Sequence, residues 1–487
     1  MNKKLTILLN LFLLLSGVGL LMYTGYRSAT LSFTHDESYT YISYVHSSVI
    51  DILTYNVNPK IANNHILNTL CMKGFEQLFG SSEFVLRLHS FMAHIVYLLF
   101  TCLILRESKS KFLILLGFIL LNYNPYLLDF FSLARGYALS ISLMVMSLYF
   151  FVQYTKRKKQ SPMVLALLFG ILAVLANFSL ISFVVAMIVV LEYVFVSQRL
   201  SFKKFLQANI PVCIALLVLL VVYKVPIQVL VDYNQLSFGG NDGLWVDVAL
   251  SCIQAYIYHA YYDVLLVFLR FLVVFVSLGS IILLYKQLKF RSLNVFSYIS
   301  MILFFILLFS FLQHLFLQGS YFKERFALFL VPLFFFSFFN VLCFLLEQKT
   351  FIKVGVYLLS ALTLGCLVTI MYVSINLTHC ASWRYDAHTR DMVDVLSKEP
   401  KIPGRQTTIG VTSLFEPTIN FYRETRKLDW LKPVTRDGPI DKPNYDYYYL
   451  FYYLKDEEKP ILDSIDKTVL MDYKLSEATL YKTVVLE

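Results

Sequence analysis

The sequence predicts a polytopic α-helical membrane domain followed by a small α/β domain on the outer side, and three observations carry that reading. The chain has 487 residues, 58% of them hydrophobic and 16% aromatic, a balance outside that of soluble globular proteins. Apolar runs recur from residue 5 to about residue 375, each of roughly 17–25 residues and therefore long enough to cross ~30 Å of hydrocarbon as a helix. From Asn376 onward the composition turns mixed and polar. Residues 1–375 thus read as a transmembrane domain and 376–487 as an extracytoplasmic one.

The net charge is +10, and its placement sets the topology. Lys and Arg cluster at Lys3 and Lys4, 106–111 (RESKSK), 156–159 (KRKK), 199–204, 286–291 and 349–353. One orientation puts every cluster in the cytoplasm, as the positive-inside rule requires. The apolar stretch 163–196 has basic clusters at both ends, so it must cross twice, with a bend near Asn177-Phe178-Ser179. The expectation is eleven spans, near 5–24, 84–105, 112–131, 137–155, 162–177, 180–197, 205–224, 263–285, 293–316, 327–346 and 354–375. The amino terminus is then cytoplasmic and the tail outside, in a plasma or inner membrane. A cleaved signal peptide is the rival reading of the first span.

Seven cysteines are scattered singly without a CxxC pair, so no thiolate metal site or disulfide framework is predicted. Asn376-Leu377-Thr378 fits a glycosylation acceptor, a pattern too short to carry weight. The absence of a P-loop agrees with a chain that does not use cytoplasmic nucleotides, and no nucleic-acid partner is expected.

Ionisable residues other than the cytoplasmic anchors concentrate on the outer face. The first outer loop, 26–82, contains His35-Asp36-Glu37, Asp51 and the stretch ending Asn63-Asn64-His65. A second outer turn reads Asp129-Phe130-Phe131-Ser132-Leu133-Ala134-Arg135-Gly136-Tyr137, and a third reads Ser320-Tyr321-Phe322-Lys323-Glu324-Arg325-Phe326. At the ends of spans such groups are costly unless paired, hydrated or functional. Arginine there suits an anionic phosphate because its planar fork binds oxygens in pairs. An Asp or Glu there suits a divalent cation or general-base chemistry, and His65, in the same loop as Asp36, suits a substrate or metal contact. His94 lies two turns past Arg87 on the same helix face and reads as a packing histidine. Arg270 reads as snorkelling to the interface or holding a lipid phosphate.

Taken together, the Asp–Glu pair after the first span, Asn-Asn-His, "FGSSEFVLRLHS", "SLARGYALS" and "SYFKERFALFLVP" resemble the GT-C glycosyltransferases over most of residues 1–375. More narrowly, they are similar to the bacterial branch related to protein O-mannosyltransferases and lipid A aminoarabinose transferases. The resemblance implies transfer of a hexosyl or pentosyl unit, with inversion, from a polyprenyl-phosphate sugar to a glycan, lipid or protein acceptor on the outer face. It implies Asp36 as general base or metal ligand, with Glu37 as its partner in the family's acidic pair. Arg135 and Arg325, with Lys323, would hold the donor phosphate, and Asn64, His65, Asp129 and Glu324 would contact substrate or a divalent metal. Phe326 departs from the family's Glu-Arg-Tyr ending, and His35 is not something the family requires.

The tail has strand-like runs at 407–412 (TTIGVT) and 445–454 (YDYYYLFYYL) and a helix-like stretch near 389–396. Its tyrosines read either as sugar-stacking rings or as strand residues chosen for β-propensity. Two other functions stay open on the sequence, a lipid-linked glycan flippase or other transporter and an oligosaccharide polymerase.

Overall fold

The computed structural model describes residues 3–483 apart from 236–238, 259, 402, 437–444, 454–458 and 460–462. Sixteen α-helices precede the tail: α1 (Lys3–Thr30), α2 (His35–Thr40), α3 (Val49–Thr54), α4 (Ile66–Phe79), α5 (Glu83–Leu105), α6 (Lys111–Asn122), α7 (Pro125–Phe131), α8 (Gly136–Arg157), α9 (Gln160–Ala176), α10 (Ile181–Ser197), α11 (Phe202–Asp232), α12 (Ser251–Ile257), α13 (Asp263–Lys289), α14 (Val295–Leu317), α15 (Leu330–Leu346) and α16 (Thr350–Ser374). Among the described residues, eight helical segments are long and apolar enough to span a membrane individually. The chain is a multi-pass membrane protein. The apolar helices α9 and α15 are shorter, at 17 residues each.

The expected third span is not one helix. It breaks into α6 and α7, bent by 62°, because Asn124 caps a new helix by accepting from the Leu127 N–H at 3.1 Å while Pro125 opens its first turn. The hairpin break after α9 has a similar local cause. Asn177 accepts from the Ser179 N–H at 3.1 Å, and a single 3₁₀ turn leads into α10. Sequence reading missed the apolar segment formed by a π-helical turn (Leu244–Leu250) and α12, between α11 and α13.

The tail forms α17 (Thr389–Lys398), β1 (Ile409–Val411), α18 (Glu416–Thr425), β2 (Tyr447–Phe451), β3 (Lys467–Tyr473) and β4 (Ala478–Thr483). The sheet order is β1-β2-β4-β3, with β1 parallel to β2 and the other pairs antiparallel. Both expected strands and the expected helix are present; Leu454, at the end of the expected tyrosine strand, lies outside the described residues. Tyr447, Tyr448 and Tyr449 are buried, so these three rings are core rather than a stacking surface.

The tail is not tethered loosely. Phe421 of α18 stacks on Phe33 with ring centroids 4.0 Å apart and meets Tyr41 edge-on at 5.1 Å. The Tyr422 hydroxyl accepts the Phe33 N–H at 2.8 Å. Phe33, Tyr41, Met72 and Leu86 of the loop and second span thereby join one hydrophobic core with Val393, Ile419 and Tyr449 of the tail. Burial of this shared face fixes the tail domain directly over α2, where the acidic pair lies.

Candidate active site

The two adjacent acids of α2 have separate fates. Glu37 is fully buried against Arg87 of α5, with both side chains at 0% exposure. Arg87 Nε donates to Glu37 Oε1 at 2.8 Å and Nη2 to Oε2 at 2.7 Å. The remaining Arg87 donors cap the end of α1 and the residues after it, at the carbonyls of Ser28, Leu31 and Ser32. Glu37 also accepts from the Thr34 N–H at 3.0 Å, the Thr34 hydroxyl at 2.9 Å and the Ala134 N–H at 2.5 Å. A carboxylate this saturated holds structure; it has no free lone pair to offer a substrate.

Asp36 points the other way. Its Oδ2 lies 3.3 Å from Arg135 Nη2 and 3.4 Å from Arg325 Nη1, yet makes no aligned hydrogen bond to either. The Trp383 side chain, from the start of the tail, faces the same carboxylate and helps to hold its pKa down, and it lies under the Arg325 guanidinium, 5.5 Å from ring centroid to Cζ. Burial pushes the Asp36 carboxyl up, but Arg135, Arg325 and His35 pull it further down, so the net shift is below the usual carboxylate value. The group is an ionised carboxylate between two guanidiniums.

Backbone geometry brings Arg135 there. It is the extended residue just before α8, and Gly136 follows because no side chain fits: a Cβ would sit 1.9 Å from the Ala176 carbonyl oxygen and 2.8 Å from His65 Cβ. The same close approach places His65 Nε2 3.3 Å from Arg135 Nη2. Burial, then the charges of Arg135 and Arg325, hold the His65 pKa well below its ordinary value, so the ring is neutral. The site is latched from above by the His35 N–H, which donates to Asp386 of the tail at 2.6 Å.

Asp36, His65, Arg135 and Arg325 therefore converge, and the other predicted residues do not join them. Asp129 forms a buried ion pair with Arg27 of α1 at 2.6 Å and accepts from the Tyr258 hydroxyl and the Ala381 N–H. Asn64 is used within its own loop, donating to the Ile52 carbonyl and accepting from Thr69. Glu324 is exposed, with φ 51°, and Lys323 sits 3.7 Å from Asp247 of the π-helical turn. The expected divalent metal does not fit: among the described residues no group of three or more His, Cys, Asp or Glu side chains converges, and Asp36 and His65 each face guanidiniums rather than further ligands. His94 is a packing residue, bonded to Thr24 at 2.9 Å and stacked on Phe131. Sequence reading missed the roles of Arg27, Arg87 and Trp383. A lone arginine in an apolar segment asks for a buried partner, which was the available signal for the first two.

The model of the family "Dolichyl-phosphate-mannose-protein mannosyltransferase" matches residues 66–226, which include α5, α8 and the arginine turn between them. Two crystal structures of ArnT from Cupriavidus metallidurans, one apo and one bound to undecaprenyl phosphate, each superpose over 97% of this chain and 98% of theirs with a TM-score of 0.52. The chain has the GT-C fold. At 10% identity the likeness to ArnT is one of fold. The archaeal oligosaccharyltransferase AglB from Archaeoglobus fulgidus, in complex with an inhibitory peptide and a dolichol-phosphate, matches at 13% identity over 90% of this chain and 70% of its own, with a TM-score of 0.45. No curated protein matches the sequence.

Asp36 and His65, the carboxylate and the imidazole of the convergent cluster, have folded pKa values below their unfolded ones. The stabilising contribution of Asp36 is complete above the unfolded carboxylate value and is lost as pH falls through its lower folded one. That of His65 is complete above about pH 6.5 and erodes below it, by at most about 1.4 kcal/mol per pH unit. The thermal unfolding midpoint of the detergent-purified protein between about pH 7 and pH 5 should therefore fall less steeply in His65→Gln than in the wild type. Identical slopes in the two proteins would show that His65 is not held neutral.

Proposed function

We propose that this protein is a membrane glycosyltransferase that moves a sugar from a polyprenyl-phosphate donor to an acceptor hydroxyl or lipid phosphate on the outer face of the membrane. The observation that carries the reading is Asp36, an ionised carboxylate with an uncommitted oxygen, held between Arg135 and Arg325. The ArnT structure bound to undecaprenyl phosphate supports the choice of donor, as a protein of the same fold.

The chemistry follows from the charges. A donor phosphate entering the site competes with Asp36 for the two guanidiniums, each able to bind oxygens bidentately. As Asp36 loses its cationic neighbours to the phosphate, burial acts on it with less opposition and its basicity rises. Asp36 then accepts the proton of the acceptor hydroxyl as that oxygen attacks the anomeric carbon. The bond from anomeric carbon to phosphate oxygen breaks, and its electron pair leaves on the polyprenyl phosphate. Arg135 and Arg325 stabilise the negative charge that the leaving phosphate gains. A single displacement of this kind inverts the sugar. No step needs a metal ion.

The lipid part has a matching feature. A cavity of about 440 Å³, lined by Val248, Leu269, Leu272, Leu303 and Phe334 among other apolar residues, lies between the π-helical turn, α13, α14 and α15. The π-helical turn also carries Asp247, the partner of Lys323. An isoprenoid chain in that cavity would present its phosphate toward the arginine loop.

Asp36→Asn should abolish transfer of labelled sugar from a polyprenyl-phosphate donor in purified membranes when normalised to folded protein, with some loss of thermal stability because Arg135 and Arg325 lose their counter-ion. Glu37→Gln should instead destabilise the fold, by about 3–5 kcal/mol as for a broken buried ion pair. Wild-type turnover in Asp36→Asn would remove the carboxylate from the mechanism. The outer-face assignment rests on the basic clusters, so a reporter fused after Trp430 should report the outer compartment and one fused after Lys158 the cytoplasm. A cytoplasmic signal after Trp430 would invert the orientation.

A further inference from the structure

A second cavity, of about 360 Å³, opens where α9, α10, α11 and α14 end beside the catalytic loop. Asn177, Ser179 and Gln313 contribute amides and a hydroxyl to its wall, Tyr223 contributes a ring, and His65 and Phe326 form its boundary. That boundary is shared with the charged site: His65 Nε2 is 3.3 Å from Arg135 Nη2, and the Arg325 guanidinium lies over the Phe326 ring at 5.6 Å. Among the described residues lining the cavity, none is Asp, Glu, Lys or Arg.

We propose that this cavity holds the transferred sugar of the lipid-linked donor, and that it takes a single uncharged monosaccharide. The inference rests on the donor reading above and adds the substrate class to it. Size limits the occupant, because about 360 Å³ is near the lower end of the roughly 300–1,000 Å³ typical of small-molecule sites; a sugar ring fits and a long oligosaccharide does not. Lining chemistry limits its charge. Amides and hydroxyls both donate and accept, so they match the mixed demands of sugar hydroxyls. With both guanidiniums taken by the donor phosphate, a protonated amino group or a uronate carboxylate held against these amides would lack a counter-charge, which is unfavourable. The histidine on the boundary, His65, is itself held neutral by its burial and the nearby arginines.

The position also suits the reaction. With the phosphate on Arg135 and Arg325 and the ring against His65, the anomeric carbon lies at the boundary between cavity and charged site. Asp36 then flanks it from the arginine side.

The test is displacement of a fluorescent polyprenyl phosphate from the full-length protein in nanodiscs by four competitors: unlabelled polyprenyl phosphate, and its glucosyl, 4-amino-4-deoxyarabinosyl and glucuronosyl esters. The glucosyl ester should compete best, by roughly tenfold over either charged ester, as expected for a site whose polar groups are matched to hydroxyls. Gln313→Glu, at an exposed position, should erase the preference for glucosyl over aminoarabinosyl ester while leaving plain polyprenyl phosphate unchanged. Ser182→Leu, which fills the cavity from α10, should weaken all three sugar esters and again spare polyprenyl phosphate. Equal competition by all three esters, or variants that weaken plain polyprenyl phosphate as much as its esters, would overturn the cavity assignment while the donor reading stands. Failure of the wild type to bind polyprenyl phosphate at all would overturn the donor reading itself.

Discussion

The arrangement of the site depends on the buried pair between Glu37 and Arg87. Both side chains are fully removed from solvent, a placement that costs several kcal/mol per ion unless every donor and lone pair is met. Here they are met by each other, by the carbonyls of residues 28, 31 and 32, and by the amides of Thr34 and Ala134. The bond from the Ala134 N–H to Glu37 sets a register, because Asp36 precedes Glu37 and Arg135 follows Ala134. Locking residue 37 to residue 134 leaves residue 36 facing residue 135. Pairs of this kind contribute little net stability relative to apolar packing; this one contributes a fixed geometry between two loops about a hundred residues apart in sequence.

Asp36 illustrates the opposite use of a buried carboxylate. Two cations hold it ionised, but neither takes up its Oδ2 in an aligned hydrogen bond. The two guanidiniums are thus matched to an anion that the chain's own carboxylate supplies, and under the proposed function an incoming phosphate would replace that anion without leaving them unpaired. The tail takes part as well. Trp383 touches both Asp36 and Arg325, and Asp386, whose carboxyl burial holds well above the usual range, accepts the N–H of His35. A domain that sequence composition sets apart is, by these contacts, part of the floor and lid of the same site.

Much of the membrane domain was legible because apolar runs of span length have one physical reading, and the basic clusters order them. The hairpin at Asn177 was found by parity, and Asn177 caps the turn there. The break at Asn124-Pro125 was overlooked, although a capping residue followed by proline is a helix start. The segment 244–257 was hidden because Asp247 and Gln254 interrupt its apolar pattern and it lies in what reads as a loop. Within the site, Asp36, His65, Arg135 and Arg325 were identified from their loops. The division between Asp36 and Glu37 was not, since adjacent helical residues point roughly 100° apart and only tertiary packing decides which faces the core. Trp383 lay beyond reach for a similar reason: nothing local in the tail marks one aromatic residue as the partner of an aspartate some 350 positions earlier.

The most direct test of the account is a cryo-electron-microscopy structure of the protein in nanodiscs with polyprenyl phosphate. The account predicts phosphate density within hydrogen-bond reach of both Arg135 and Arg325, with Asp36 displaced from at least one of them and the Glu37–Arg87 pair unchanged. Phosphate bound elsewhere, with the Asp36 ion pairs intact, would contradict it.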